Sequence, residues 1–134
     1  MPLTTILNHP IAESLPFEFQ TMEFSLNGWG NVDFYAKKND VLILLEVESG
    51  QKHPNTNVVK LWPYLESETK AKIMFIHVFT PENNAPKNRL RLCNYIGNKL
   101  EDIFPDRFRY YKYNWAESCK QDLINIDTKL RELV

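Results

Sequence analysis

Two glutamates stand at the end of the most apolar segment of the chain. The run Val41–Leu45 is followed directly by Glu46, Val47 and Glu48. Five consecutive apolar residues predict a strand that is buried on both faces. Side chains alternate along a strand, so Glu46 and Glu48 point to the same side. Carboxylates in such a place are costly to bury unless a partner neutralises their charge.

A short hairpin brings a third carboxylate, Asp33, to the same place. If Asn39–Asp40 forms a two-residue loop, the strands on either side of it pair so that Asp33 lies opposite Glu46. Directly opposed residues share a face, with β-carbons about 4.5–5.5 Å apart. We therefore expect the three acids to converge, and Mg²⁺ is the hard cation that such oxygen ligands favour. The alternative is an acidic strand end that is only solvated surface.

The elements that must position these acids follow from the hydrophobic periodicity. Helices are predicted at 4–15, from about Asn57, at 87–104 and at 117–133, and strands at 17–26, 32–37, 41–48, 72–80 and 107–115. Strands that alternate with helices imply parallel pairing in part of the sheet, whereas the first hairpin must be antiparallel. We expect an α/β fold in which helices flank one mixed sheet, in a single domain spanning 1–134.

The order of elements and the acidic motif resemble the PD-(D/E)XK, or restriction-endonuclease-like, nuclease family. In that family a helix precedes a three-stranded meander, which a helix and a strand follow. An Asp lies on the second strand and an acid-x-Lys pair lies on the third. Gly30–Asp33 would match the first motif and Glu46–Glu48 the second. Val32 stands where Pro is usual, and Glu48 stands where Lys is usual. The match covers roughly residues 5–80, with the C-terminal helix, strand and helix as an extension of the family core.

The resemblance also implies further site residues. Some members supply the basic residue from the helix after the third strand, which makes Lys60 the first candidate and Lys52 the second. Gln51 follows the motif at a position that often lies near the scissile phosphate in similar proteins. Glu13 matches an additional acid that many members carry on the first helix. The alternatives are an ordinary solvated helix lysine at Lys60 and plain helix N-terminal chemistry at Glu13.

The activity that the resemblance implies is Mg²⁺-dependent hydrolysis of phosphodiester bonds in DNA by an endonuclease, with Mn²⁺ as a substitute metal. Asp33, Glu46 and the backbone carbonyl of Val47 would hold the metal. The metal would lower the pKa of a bound water and stabilise charge on the phosphate. Glu48 would bind metal or orient the attacking water, and Lys60 or Lys52 would offset negative charge in the transition state.

Two other functions compete with this one. The first is a catalytically inactive nuclease-like subunit that binds nucleic acid or serves in assembly, which the replacement of Lys by Glu48 favours. The second is glycoside hydrolysis by paired carboxylates. The short chain and the closeness of the acids argue against a sugar cleft.

The distribution of charge bears on a DNA partner. The formal net charge is −1 at pH 7, without the basic excess of many nucleic-acid-binding proteins. Residues 86–134, however, carry ten Lys and Arg against seven Asp and Glu. Candidate phosphate contacts in this part are Arg89, Arg91, Arg107, Arg109 and Lys112. A solvated, aromatic-rich sheet edge explains the basic strand equally well.

Several classes of protein are disfavoured by what the sequence lacks. No apolar run is long enough to span a membrane, and the first residues lack a signal-peptide layout, so the expectation is a cytoplasmic protein. The three histidines are scattered and form no ligand pair. Cys93 and Cys119 fall in apolar helical patterns and are expected to be reduced core residues. The apolar stripe of the last helix fits either the core or the seam of a homodimer.

Overall fold

A four-stranded mixed sheet with helices on both faces carries the acidic residues. The computed structural model describes Leu15, 17–20, 22–50, 52–115 and 120–134. The strands are β1 (Phe24–Ser25), β2 (Asn31–Val32), β3 (Phe34–Lys38), β4 (Val41–Glu48), β5 (Ile73–Phe79) and β6 (Phe108–Asn114). The helices are α1 (Asn55–Val59), α2 (Leu61–Ser67), α3 (Lys87–Ile103) and α4 (Lys120–Leu133).

The sheet has the order β3-β4-β5-β6. Strands β3 and β4 form an antiparallel hairpin, whereas β5 pairs with β4 and β6 with β5 in parallel. The two crossovers step in the same direction across the sheet, and right-handed crossovers of this kind place their helices on one face. The prediction of a mixed sheet flanked by helices is therefore confirmed.

Two apolar clusters, one on each face of the sheet, form the core. On one face Leu44 packs with residues of α1, α2 and α3, including Val58 and Cys93. On the other face Ile43 packs with the α4 stripe, represented by Ile126. The stripe of the last helix thus belongs to the core. Cys93 is buried and free, as expected, whereas Cys119 lies outside the described residues.

The hairpin between β3 and β4 sets the register on which the site depends. Lys38 pairs with Val41 and Phe34 with Leu45, so Asn39 and Asp40 form the predicted two-residue loop. Asn39 has a φ of 55°, a left-handed conformation that Asn tolerates better than most residues. The predicted register of the hairpin is confirmed.

The strand predicted at 17–26 is wrong for most of its length. Residues 17–20 are not in a strand, although the Gln20 N–H donates to the Tyr35 carbonyl at 2.8 Å. Only Phe24–Ser25 is extended, and it pairs with β2 in a separate two-stranded sheet. The first strand of the expected meander is therefore not part of the main sheet. Partial alternation of aromatic residues in this segment reflects local packing, because Phe17 and Phe19 pack against the apolar cluster that contains Ile43.

The strand predicted at 32–37 and the helix predicted from Asn57 are both interrupted. Asp33 separates β2 from β3, and Lys60 separates α1 from α2. Pro63 lacks the N–H that would bond to the Val59 carbonyl, which explains why the helix does not continue through this point.

Three expectations about the helices concern the two ends of the chain and the absence of a membrane span. The helix predicted at 4–15 falls outside the described residues except at Leu15, and the helix predicted at 117–133 is described from Lys120 onward. In the described ranges, none of the helices combines the length and the apolar character that crossing a bilayer requires.

Candidate active site

Glu46 and Glu48 lie at the carboxyl end of β4, on the face that is covered by α1, α2 and α3. Neighbouring Val47 packs in the cluster on the opposite face, which confirms that the two glutamates share one side of the strand. Both side chains are buried, with 7% of Glu46 and 0% of Glu48 exposed. Burial of two carboxylates this close together requires partners for both.

Asp33 meets Glu46 through side-chain bonds that take the place of the β ladder. The ladder between β3 and β4 ends with the pair Phe34 and Leu45. One residue beyond it, the Asp33 N–H donates to Glu46 Oε2 at 2.9 Å. In return the Val47 N–H donates to Asp33 Oδ2 at 2.9 Å. The chain bends at Asp33 because carboxylates, rather than carbonyls, satisfy the two backbone amides.

These reciprocal bonds also orient the backbone of Val47. In an extended strand the N–H and C=O of one residue point to the same side. The Val47 N–H faces Asp33, so its carbonyl faces the same side of β4. Asp33 and Glu46 are thereby brought together, as the hairpin register predicts, and the Val47 carbonyl points to the same side of β4.

Lys60 lies at the same site, where α1 ends and α2 begins. Its Nζ is 3.2 Å from Glu46 Oε1 and donates to Asn57 Oδ1 at 2.8 Å and to the Asn31 carbonyl. Gly30 makes room for this side chain, because a β-carbon there would lie 3.3 Å from Lys60 Cδ, and its φ of 130° also disfavours other residues. Lys60 is therefore in contact with the acid pair and is not a solvated helix lysine.

The two carboxylates at this site resist ionisation. Burial raises the pKa of Glu46 from 4.5 to about 7, and the neighbouring Asp33 charge adds to the rise, whereas Lys60 opposes it. Burial also raises the pKa of Asp33, against the opposing effects of the Val47 N–H and the Lys60 charge. One ammonium group does not compensate for two desolvated carboxylates. The site therefore has an affinity for additional positive charge.

Glu48 faces a different set of partners. Its Oε1 is 2.9 Å from His77 Nε2 and accepts a hydrogen bond from Asn57 Nδ2. His77 Nδ1 is in turn 2.7 Å from the Tyr110 hydroxyl. Glu48 Oε2 is buried and has no hydrogen-bond partner in the described part of the chain. The convergence expected of three carboxylates is thus found for Asp33 and Glu46, while Glu48 is directed toward β5.

His77 and Asn57 are functional candidates that the sequence analysis missed. The signal for His77 is its place inside the apolar segment 73–79, because a buried imidazole needs hydrogen-bond partners. Burial lowers the pKa of His77, which is completely buried, so it is neutral. For Asn57 the sequence offers only its spacing of three from Lys60, which places the two side chains on one side of a helix.

The donor set at Asp33 and Glu46 suits a hard cation. Among the described residues, no three His, Cys, Asp or Glu side chains are placed to hold one metal ion. Mg²⁺ typically uses only one or two protein carboxylates and keeps several waters. The Lys60 ammonium already sits among three oxygen acceptors, which shows that the surroundings favour positive charge. Asp33, Glu46 and the Val47 carbonyl therefore fit Mg²⁺.

Two of the arginines expected to contact nucleic acid, Arg107 and Arg109, lie at the end of the sheet opposite to Glu46 and Glu48. Arg107 donates to the carbonyls of Leu65, Glu68 and Ala71 and so holds the connection between α2 and β5. Arg109 pairs with Glu132 at 3.0 Å. Arg109 is level with Met74 at the amino end of β5, whereas Glu48 is level with Phe79 at its carboxyl end, roughly 16 Å along the strand. These contacts favour structural roles for both arginines.

The other basic candidates lie on β6, on α3 and in the loop after β4. Lys112 is level with His77 and stands over the Phe79 ring at 5.2 Å, in a depression of about 250 Å³ at the carboxyl ends of β5 and β6. Arg89 donates to the Lys52 carbonyl at 2.8 Å, which ties α3 to the loop after β4, and Arg91 is exposed on α3. Lys52 itself is exposed and lies in that loop.

Two secondary candidates, Glu13 and Gln51, lie outside the described residues. Comparisons with known proteins add no assignment, because no protein family and no curated protein sequence matches the chain.

Proposed function

We propose that this protein is a Mg²⁺-dependent nuclease that hydrolyses phosphodiester bonds in DNA. The observation that carries the proposal is the arrangement of Asp33, Glu46 and Lys60. The buried Glu46 and the half-buried Asp33 are joined by reciprocal hydrogen bonds with the backbone, and the Lys60 ammonium group pairs with Glu46. An acid pair with an adjacent lysine at the end of a β-hairpin is the arrangement that the PD-(D/E)XK family would use.

The fold supports this interpretation at the level of topology. Asp33 immediately precedes β3 and Glu46 lies on β4 of one antiparallel hairpin, and α1, α2 and β5 follow in the order expected of a restriction-endonuclease-like core. The first strand of the family's meander is the departure, because it lies outside the main sheet. We infer that Lys60, which lies between α1 and α2, supplies the positive charge that other family members carry at the position of Glu48. Its contact with Glu46 Oε1 brings that charge to the motif despite the change at position 48.

In this mechanism Asp33, Glu46 and the Val47 carbonyl would hold Mg²⁺, which, when bound, activates a water and stabilises charge on the phosphate. Glu46 holds a proton in the absence of metal up to about pH 7 and must release it to become a ligand. Lys60 provides a fixed positive charge for the pentacovalent phosphate. Lys112 and Arg91 are the basic side chains proposed to contact the DNA backbone.

The test is cleavage of supercoiled and linear DNA in Mg²⁺ by the wild type, Asp33→Asn and Glu46→Gln. Both substitutions preserve shape and remove charge, so we expect a loss of at least about 100-fold in rate with the fold retained. Asp106→Asn, at an exposed turn, is the matched control and should cleave like the wild type. Wild-type activity in Asp33→Asn would refute the proposal.

A catalytically inactive nucleic-acid-binding or assembly subunit is the second candidate. The observation that favours it is the position of Lys60, whose ammonium occupies three oxygen acceptors and partly neutralises the acid pair without any metal. In that case a Mn²⁺ titration would show no binding that depends on Asp33 or Glu46. DNA binding would then be the same with and without divalent cations.

A further inference from the structure

A chain of hydrogen bonds runs from the core of the protein to the proposed catalytic lysine. It starts at the Tyr110 hydroxyl, 2.7 Å from His77 Nδ1, and continues from His77 Nε2 to Glu48 Oε1 at 2.9 Å. Asn57 Nδ2 donates to the same Glu48 oxygen, and Asn57 Oδ1 accepts from Lys60 Nζ at 2.8 Å. Glu48 and Lys60 do not contact each other directly in this chain; Asn57 joins them.

The direction of each bond in the chain is determined by chemistry. A carboxylate accepts only, so the hydrogen bonds to Glu48 come from the Asn57 amide and from His77 Nε2–H. Neutral His77 then has an unprotonated Nδ1, which accepts from the Tyr110 hydroxyl. An ammonium group donates only, so the carbonyl oxygen of Asn57 must face Lys60. The Asn57 side chain has therefore only one orientation that satisfies both neighbours.

We infer that Asn57, held by Glu48 and His77, is a positioning residue that keeps the Lys60 ammonium on Glu46. This inference deepens the proposed nuclease function and rests on it for its catalytic consequence. A lysine has a long flexible stem, and its contacts with Glu46 and with the Asn31 carbonyl leave one ammonium proton without a fixed acceptor. The Asn57 carbonyl is the third acceptor, and the hydrogen bond from the Asn57 amide to the buried Glu48 fixes its orientation. Glu48 thus acts through Asn57 and Lys60, in contrast to the direct catalytic role that the sequence suggests.

An exchange of amide and carboxylate tests this arrangement. Asn57→Asp sets a second carboxylate against Glu48, which breaks the chain, whereas Glu48→Gln alone keeps a carbonyl oxygen that can accept both the Asn57 bond and the His77 bond. In the double variant, one N–H of the new amide at position 48 donates to the new carboxylate at position 57. The other N–H donates to Nε2 of His77, which is then the tautomer protonated at Nδ1. The carboxylate at position 57 still accepts from Lys60, and the size and net charge of the cluster are unchanged. Asn94→Asp, at an exposed position of α3, controls for the added negative charge.

The first readout does not depend on activity. The ammonium protons of ¹⁵N-labelled Lys60, assigned with Lys60→Arg, should give a resolved NMR signal in the wild type because three acceptors slow their exchange with water. We expect that signal to be lost in Asn57→Asp and recovered in the double variant. Asn57→Ser removes both bonds at a half-buried site and gives the same loss even if Asn57→Asp fails to fold. A signal that persists in folded Asn57→Ser would overturn the inference.

The second readout is the rate of DNA cleavage. Misplacement of a catalytic group by about 1 Å costs up to about 100-fold. We expect kcat to fall by this order in Asn57→Asp and Asn57→Ser while KM changes little, and the double variant to regain most of it. If Glu48 were itself a metal ligand, the double variant would not recover, and the inference would be wrong. If no form of the protein cleaves DNA, the nuclease proposal fails, while the NMR result still decides whether Asn57 positions Lys60.

Discussion

Replacing Glu46 by Gln should make the protein more stable at high pH while abolishing its proposed activity. The pKa of Glu46 is about 7 in the folded state against 4.5 for the free side chain, mainly because of burial. The folded protein therefore holds this proton more tightly than the unfolded chain does. The contribution of the protonated Glu46 carboxyl to the free energy of unfolding is fully present below about pH 4.5 and is lost as the pH rises through about 7.

The size of the effect follows from the same values. A pKa of about 7 against 4.5 corresponds to about 3 kcal/mol between the two ends of the pH range. Gln has the shape of the protonated carboxyl and cannot ionise. Lys60 keeps Asn57 and Asn31 as acceptors in the variant, so loss of the ion pair costs little in comparison. We expect the unfolding free energy of Glu46→Gln minus that of the wild type to rise by about 3 kcal/mol from about pH 4 to about pH 8.

Equilibrium unfolding in urea at a series of pH values measures this difference directly. The subtraction removes the contributions of all other groups that titrate alike in both proteins. Glu66→Gln, an exposed glutamate on α2, is the control and should stay within about 0.5 kcal/mol of the wild type throughout. A difference that is flat, or that favours the wild type at high pH, would refute the reasoning. The latter result would mean that the ion pair with Lys60 outweighs the cost of burial.

Three further predictions concern the metal, the hydrogen bonds of Arg107 to backbone carbonyls and the packing of α3. Millimolar Mg²⁺ should raise the Tm of the wild type at pH 8 but not that of Asp33→Asn, because only a native site that binds the cation gains stability; equal rises in both proteins would contradict the assignment. Arg107→Ala should lower the unfolding free energy by about 3 kcal/mol, since it leaves three carbonyls without their charged donor, whereas exposed Arg91→Ala should change it by less than about 0.5 kcal/mol. Gly97→Ala should destabilise by about 1–3 kcal/mol or more in the same assay, because the new β-carbon would lie 2.3 Å from the Tyr110 ring; stabilisation, which helix propensity alone predicts, would show that the ring moves freely.

The parts of the fold that the sequence predicts well are those with strong local periodicity. The bounds of β4 were predicted without error, because an apolar run between a two-residue loop and Ser49–Gly50 leaves little freedom. Strand β5, helix α3 and strand β6 agree with prediction to within one residue at each end. The hairpin register followed from the loop length alone, and it brought Asp33 to Glu46 as expected.

What the sequence could not predict depends on contacts between distant residues. The break between β2 and β3 at Asp33 arises because the Asp33 carboxylate, and not a backbone carbonyl of the neighbouring strand, accepts the hydrogen bond from the Val47 N–H. Hydrophobic periodicity does not predict this bond. The hydrogen bonds of Arg107 need the carbonyls at the end of α2, which lie some forty residues earlier in the chain. Glu48 shares the strand face of Glu46, yet it faces His77 on the neighbouring strand. Two carboxylates with the same local pattern therefore have different environments, and tertiary contacts alone distinguish them.

The charges at the site explain why a divalent cation and a phosphodiester would belong together there. Asp33 and Glu46, when ionised, carry two negative charges against the single positive charge of Lys60. A site with a net charge of −1 repels DNA, whose backbone carries one negative charge per phosphate. A bound divalent cation reverses the net charge to +1, which one phosphodiester group then balances. Protonation of Glu46 only brings the site to neutrality, so a proton can relieve the repulsion between the acids but cannot attract the phosphate. The same two carboxylates that are costly to bury would thus make binding of the proposed DNA substrate conditional on the metal.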